Sequence, residues 1–228
     1  MLRYLLLDFD NTLVDFTETE RRALRATFRE LFARELTDEE VTVYNRINDS
    51  YWKRLERKEV DKEQLKRGRF GDFLATLAIE TADVSLVNKA YMDNLSKTIV
   101  EYPESAEACK RLSERYPLYI ITNGTTYIQR ARLAGCTFAP YIRQMFISDD
   151  VGVNKPAPEF FEAVVRETGD ADPKHYLVVG DSPSSDIRFG RNIGSPTCYV
   201  GTAEADSDYR IGSIEELPAL LAEIECYD

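Results

Sequence analysis

Two aspartates stand two residues apart in Asp8-Phe9-Asp10-Asn11-Thr12, directly after the apolar run Tyr4-Leu5-Leu6-Leu7. A carboxylate pair of this kind can divide a displacement between a nucleophile and a proton-transfer group. Both members can also offer oxygen to a hard divalent cation. If the run is a buried strand, both residues leave at its C-terminal edge, where open α/β sheets hold their ligands. Asp and Asn also favour turns and helix caps, so a plain strand-end turn is the competing reading. Three further polar groups follow short apolar runs. They are Thr122-Asn123-Gly124, Asn154-Lys155-Pro156, and Gly180-Asp181-Ser182 leading to Ser185-Asp186. Singly they read as a turn, a helix start and a strand exit with an N-cap. Together, at one sheet edge, they would gather a hydroxyl, an amide, an ammonium and more carboxylates.

The elements that must position these groups are legible as short runs rich in Ile, Val, Leu and Tyr. Strands are predicted at residues 2–7, 118–121, 145–147, 176–179 and 197–200, with helices at 105–116, 126–135, 158–168, 185–192 and 214–226. Strand and helix alternating in this way imply a parallel, doubly wound sheet. Residues 16–100 differ, being dense in Glu, Arg, Lys and Leu at helical spacing with no strand run. Breaks near Thr37-Asp38 (Thr37 and Glu40 forming a capping box), Val60-Asp61 and Thr81-Ala82-Asp83 divide the stretch into four or five helices. An α-helical cap at 16–100 inserted into an α/β core made of 1–15 and 101–228 follows, with hinges near Asp15-Phe16 and Glu101-Tyr102-Pro103.

The net charge of -11 argues against a nucleic-acid polymer or an anionic membrane as partner. It leaves room for a small phosphorylated metabolite, because a metal ion and local cations can reverse the field inside a cleft. The apolar start breaks at Asp8 and no run approaches the length of a bilayer span, so a cytoplasmic location is expected. Cys109, Cys136, Cys198 and Cys226 form no CxxC pair and read as reduced structural thiols.

Asp8-x-Asp10-x-Thr12, the Thr122 strand end, Lys155 and Gly180-Asp181 with Asp186, in that order, resemble the signature of haloacid dehalogenase superfamily phosphohydrolases. The resemblance spans the chain, helical insert included. It implies a Rossmann-like three-layer α/β/α core and assigns roles. Asp8 becomes the nucleophile, forming an aspartyl-phosphate, and Asp10 the acid/base. Thr122 and Lys155 bind phosphoryl oxygens, with Lys155 also paired to Asp8. Mg²⁺ is held by Asp8, Asp181 and the main-chain carbonyl of Asp10. Asp186 orients metal-bound water or Lys155.

An acid at Asp10 favours phosphate-ester hydrolysis over 2-haloacid dehalogenation, where no leaving group needs a proton. The lone histidine, His175, lies at the wrong strand end for catalysis, which weakens a phosphomutase reading. A non-catalytic ligand-binding member of the fold should have lost some of Asp8, Asp10, Lys155 and Asp181, yet all are present. The insert, from Tyr51-Trp52-Lys53 to Arg69-Phe70, is similar to that of the pyrimidine 5′-nucleotidase group. Nucleoside 5′-monophosphates are therefore the leading substrates, with sugar or other metabolite phosphates next. Phe16, Trp52, Arg69 and Asn123 are the candidate substrate contacts. For Trp52 the alternative is packing in the insert, for Arg69 a surface position, and for Asn123 shaping the turn. Monomer and homodimer both remain open.

Overall fold

The computed structural model describes residues 1–80 and 83–227. Its strands are β1 (Tyr4–Leu7), β2 (Leu118–Thr122), β3 (Ile142–Ile147), β4 (Tyr176–Gly180), β5 (Thr197–Val200) and β6 (Tyr209–Ile211). The helices are α1 (Phe16–Phe32), α2 (Asp38–Glu56), α3 (Lys62–Thr76), α4 (Val84–Lys97), α5 (Ser105–Ser113), α6 (Thr126–Ala134), α7 (Ser148–Val151), α8 (Phe161–Thr168), α9 (Arg188–Ile193) and α10 (Leu217–Tyr227).

All six strands join one sheet in the order β3-β2-β1-β4-β5-β6, with every pairing parallel. Side chains alternate between its faces, and both faces are covered. On one face Leu5, Leu7, Leu118, Ile120, Leu177 and Val179 pack with Ala108 and Leu112 of α5 and Leu217 and Leu221 of α10. On the other, Leu6, Tyr119, Ile121, Tyr176 and Val178 pack with Phe161 and Val164 of α8 and Phe189 of α9. The result is the Rossmann-like three-layer α/β/α core with a parallel sheet.

The largest differences from expectation lie at the two edges of the sheet, and β1 also starts two residues late, at Tyr4. β3 begins three residues early, at Ile142-Arg143-Gln144, because an edge strand tolerates exposed polar residues that break an apolar run. β6 is a three-residue edge strand with an exposed arginine at its centre and carries no sequence pattern of its own. The helix expected at 185–192 opens as a π-helical turn at Pro183–Ile187 before α9. Cys109, Cys136 and Cys198 are buried free thiols and Cys226 is an exposed one.

The chain divides into two compact units, Met1–Phe16 with Ile99–Asp228, and Thr17–Thr98. In the first unit the two connecting segments run side by side. Asp15 N–H donates to the Val100 carbonyl at 2.8 Å, and Val14 bridges Glu101. The second unit is built from helices. Thr37 and Glu40 form the expected capping box on α2, and Asp61 with Gln64 repeats it on α3. Thr81 and Ala82, part of one expected helix break, lie outside the described residues, while Asp83 caps α4 by accepting from Ser85 N–H at 2.8 Å. Phe28, Tyr44, Phe70, Phe73 and Tyr91 form its buried aromatic centre, with ring centroids 5.1 Å apart for Phe70 and Tyr91 and 5.2 Å for Tyr44 and Phe73. No helix among the described residues is long and apolar enough to cross a membrane.

Candidate active site

Strand register decides what meets at the sheet edge. Leu7 is level with Ile120 of β2 and Val179 of β4, and Thr122 with Ile147 of β3. Asp8 and Asp181 therefore directly follow the C-terminal ends of β1 and β4, and Thr122 is the last residue of β2 beside them. The strand order reverses between β1 and β4, which is where doubly wound sheets open a crevice. Asp8 N–H donates to the Val179 carbonyl at 2.8 Å and extends the ladder one residue further. Asn11 then turns the chain at φ 60, a left-handed position that asparagine tolerates better than most residues. Its side-chain oxygen accepts from Phe16 N–H at 3.1 Å, bracing the loop from within.

Lys155 is the hub of the site. Its ammonium donates to Asp8 Oδ1 at 2.7 Å, Asp186 Oδ1 at 2.6 Å and the Ile121 carbonyl at 2.6 Å. All three donors are engaged, so the phosphoryl contact expected of Lys155 requires one of these bonds to exchange. The lysine and Asp186 are each 1% exposed and Asp8 is 7% exposed. Asp186 Oδ2 accepts from Ser182 N–H at 3.0 Å. Gly180 makes room for it, since a Cβ there would lie 2.3 Å from Asp186 Oδ2. Asn123, expected as a substrate contact, has its amide committed elsewhere. It donates to the Lys155 carbonyl and accepts from Lys155 N–H, both at 2.8 Å, clamping the lysine main chain.

Burial and then the Asp186 charge push the Asp8 carboxyl well above the ordinary carboxylate range, while Lys155 pulls the other way. Asp181 is raised to about 7 by burial and again by Asp186. Burial works against the Lys155 ammonium, yet Asp186 and Asp8 outweigh it and raise its pKa. Asp8, Asp181 and Asp186 each bring a carboxylate oxygen within 4.8 Å of the others. Three carboxylates against one ammonium leave a formal charge of about -2, with oxygen the only side-chain donor type of the cluster. Such a set suits a hard divalent cation and explains why the carboxyls resist ionising without one.

Asp10 was expected to meet the metal through its main chain, and its side chain points elsewhere. Its oxygens accept from Arg132 at 2.7 Å and Gln129 at 2.9 Å, both from α6. Gln129 also donates to Thr122 Oγ1 at 2.7 Å. Neither α6 residue stands out in sequence, because a Gln and an Arg on a short helix look like solvated surface. Phe16 is half-buried, with its ring centroid 4.9 Å from the Arg132 guanidinium carbon.

Two further candidates, Trp52 and Arg69, belong to the helical unit. Trp52 is half-buried on α2 of the helical unit. Arg69, on α3, is 4% exposed, which removes the surface alternative. Its guanidinium donates to Asn48 at 3.0 Å and Asn88 at 3.1 Å and lies 4.9 Å from the Tyr91 ring centroid. His175 pairs with Asp170 at 2.7 Å, just before β4 and at the strand end opposite Asp181.

A family model for haloacid dehalogenase-like hydrolase matches residues 2–194. The chain is 30% identical over 225 residues to the Bacillus subtilis (strain 168) protein YfnB, named as a HAD-hydrolase, covering 96% of this chain and 95% of that one. A crystal structure of YfnB bound to magnesium superposes with a TM-score of 0.90 at 29% identity, covering 96% of this chain and 98% of that one. The pyrimidine 5′-nucleotidase PynA of Streptococcus pneumoniae (strain ATCC BAA-255 / R6) is 30% identical, with 99% of this chain and 95% of that protein covered. The pyrimidine 5′-nucleotidase YjjG of Escherichia coli (strain K12) is 26% identical, with 96% and 97% covered. The chain belongs to the haloacid dehalogenase-like hydrolase family and is an enzyme of that class.

Proposed function

We propose that the protein is a Mg²⁺-dependent phosphomonoester hydrolase working through an aspartyl-phosphate on Asp8, with pyrimidine nucleoside 5′-monophosphates as its substrates. The observation that carries this reading is the Lys155 ammonium 2.7 Å from Asp8 and 2.6 Å from Asp186, beside Asp181, at the switch point of the sheet. Lys155 supplies the local cation that favours Asp8 as a carboxylate despite its burial. A carboxylate oxygen of Asp8 attacks phosphorus and the bond to the ester oxygen breaks. Asp10 gives that leaving oxygen its proton. In the second half, Asp10 takes a proton from water as the water oxygen attacks phosphorus. The Asp8–phosphorus bond then breaks, restoring the carboxylate and releasing phosphate. Thr122 and the Lys155 region meet the phosphoryl oxygens, where charge is spread in the transition state.

Mg²⁺, held by Asp8, Asp181 and the Asp10 carbonyl, would neutralise charge so that an anionic carboxylate and a phosphate dianion can approach. Support comes from the oxygen-only carboxylate cluster and from the magnesium-bound relative. We assign the helical insert the role of cap, because its connections leave the core unit at Phe16 and return at Ile99, between the Asp8–Asp10 loop and β2 in sequence. The nucleotide assignment leans on the two nucleotidase relatives.

Phosphate release from p-nitrophenyl phosphate, with and without Mg²⁺, tests the reaction. Asp8→Asn should reduce it to background, and retained Mg²⁺-dependent turnover in that variant would remove Asp8 as nucleophile. A panel of phosphorylated metabolites ranked by kcat/KM tests the substrate. Pyrimidine nucleotides should rank at the top, and their absence there would overturn the substrate while leaving the reaction standing.

A further inference from the structure

The Asp10 carboxylate is gripped at both oxygens by side chains of one helix. Arg132 Nη1 donates to Oδ1 at 2.7 Å and Gln129 Nε2 to Oδ2 at 2.9 Å. The two donors are three residues apart on α6, so they share a face. Arg132 Nη1 also donates to Gln129 Oε1 at 2.9 Å, and Gln129 reaches Thr122 Oγ1 at 2.7 Å. Arg132 is 1% exposed, with its guanidinium carbon 5.0 Å from the Phe9 ring centroid and 4.9 Å from that of Phe16. Two aromatic rings thus flank the group and hold it in place beside the loop that carries both aspartates.

This is an expensive way to satisfy a half-buried carboxylate. Arginine is almost never fully buried unless paired, and removing it from water costs several kcal/mol. Arg132 Nε and Nη2 find no hydrogen-bond partner among the described residues, which adds to that cost. A solvated lysine or a water molecule would have satisfied Asp10 more cheaply. What the buried clamp adds is orientation, because a carboxylate held at Oδ1 by a guanidinium locked between rings and at Oδ2 by the Gln129 amide cannot rotate freely.

We infer that Arg132, assisted by Gln129, is a positioning residue for proton transfer by Asp10. The pair sets the angle at which Asp10 meets the leaving oxygen. Neither residue touches the substrate in this assignment. The inference rests on the phosphomonoesterase reading and extends it. Through Gln129 the same clamp ties Asp10 to Thr122, so the groups assigned to the leaving oxygen and to the phosphoryl oxygens are set by one helix.

The test uses the basicity of the leaving group. An alkoxide needs its proton as the ester bond breaks, whereas 2,4-dinitrophenolate leaves without one. Because kcat/KM reports steps up to departure of the leaving group, it isolates this effect from later dephosphorylation. Arg132→Met should lower kcat/KM for an alkyl phosphate such as a nucleoside 5′-monophosphate about 100-fold, in the range of general acid catalysis and of small misplacements. For 2,4-dinitrophenyl phosphate the same variant should lose no more than about 5-fold, since the proton it misplaces is not needed there. Arg132→Lys, which keeps the charge and loses the planar fork, should fall between. Equal losses on both esters, or none, would overturn the inference. Should Arg132→Met fail to fold by circular dichroism, Arg132→Lys carries the comparison, and a ratio unchanged from wild type overturns it. Wild-type protein inert toward both esters would instead overturn the phosphatase reading itself, and the inference with it.

Discussion

Lys155 has no spare donor, and that shapes how its neighbours act. Three acceptors at 2.6–2.7 Å hold the ammonium, while Asn123 holds the lysine main chain at two points. The amide matters through where it puts Nζ. Asn123→Ala should therefore lower kcat on p-nitrophenyl phosphate about 10-fold while KM moves less, and should cost about 1–3 kcal/mol of stability from the lost main-chain bonds. Steady-state kinetics and a denaturant titration check both halves. A raised KM at unchanged kcat would mean that the amide meets substrate after all. The sequence marked Thr122, Asn123 and Lys155 as a group, because each follows an apolar run. It could not show that Asn123 faces Lys155 rather than a ligand, since a Thr-Asn-Gly turn is compatible with both.

At the scale of elements, two segments carry more than their appearance suggests. The end of β4 turns into a π-helical segment that brings Asp186 back across Gly180 toward Lys155. Gly180→Ala would place a methyl group 2.3 Å from Asp186 Oδ2, so either the carboxylate or the strand must shift. Overpacking of this kind costs about 1–3 kcal/mol. The expected outcome is a lower Tm together with loss of phosphate release, because the Lys155 partner moves. In the helical unit, Glu20 accepts from Asn48 at 3.0 Å and from Tyr91 at 2.8 Å, and Arg69 donates to Asn48 at 3.0 Å. Arg69→Met strands the Asn48 and Asn88 oxygens at about 1–3 kcal/mol each. Destabilisation of the helices, seen by hydrogen exchange in α2 and α4, is expected. A stable variant with a raised nucleotide KM would instead restore Arg69 as a substrate contact.

Stability of the whole molecule should report the charge of the site. The Asp181 carboxyl sits at about 7 in the folded chain against an ordinary 3.8. A raised acid pKa means that the folded state keeps a proton which the unfolded state has already released. Its contribution to stability is therefore highest at low pH and declines as pH rises from about 4 to about 7. In metal-free buffer, Asp181→Asn should gain on wild type in Tm between about pH 5 and about pH 8. Mg²⁺ should raise the wild-type Tm more at the upper pH, because the cation takes the carboxylate form. Differential scanning fluorimetry with and without Mg²⁺ measures both trends, and a Mg²⁺ shift independent of pH would contradict the assignment.

Short apolar runs, each closing on a polar group, were enough to read a doubly wound parallel sheet. A long helical stretch without strands was enough to read an insert. Those features are local, and local propensity writes them into the chain. The clamp of Gln129 and Arg132 on Asp10 lies beyond that reach, as does the burial of Arg69. Each joins residues far apart in sequence, and only strand register and helix docking decide which polar side chain loses its water and which partner replaces it.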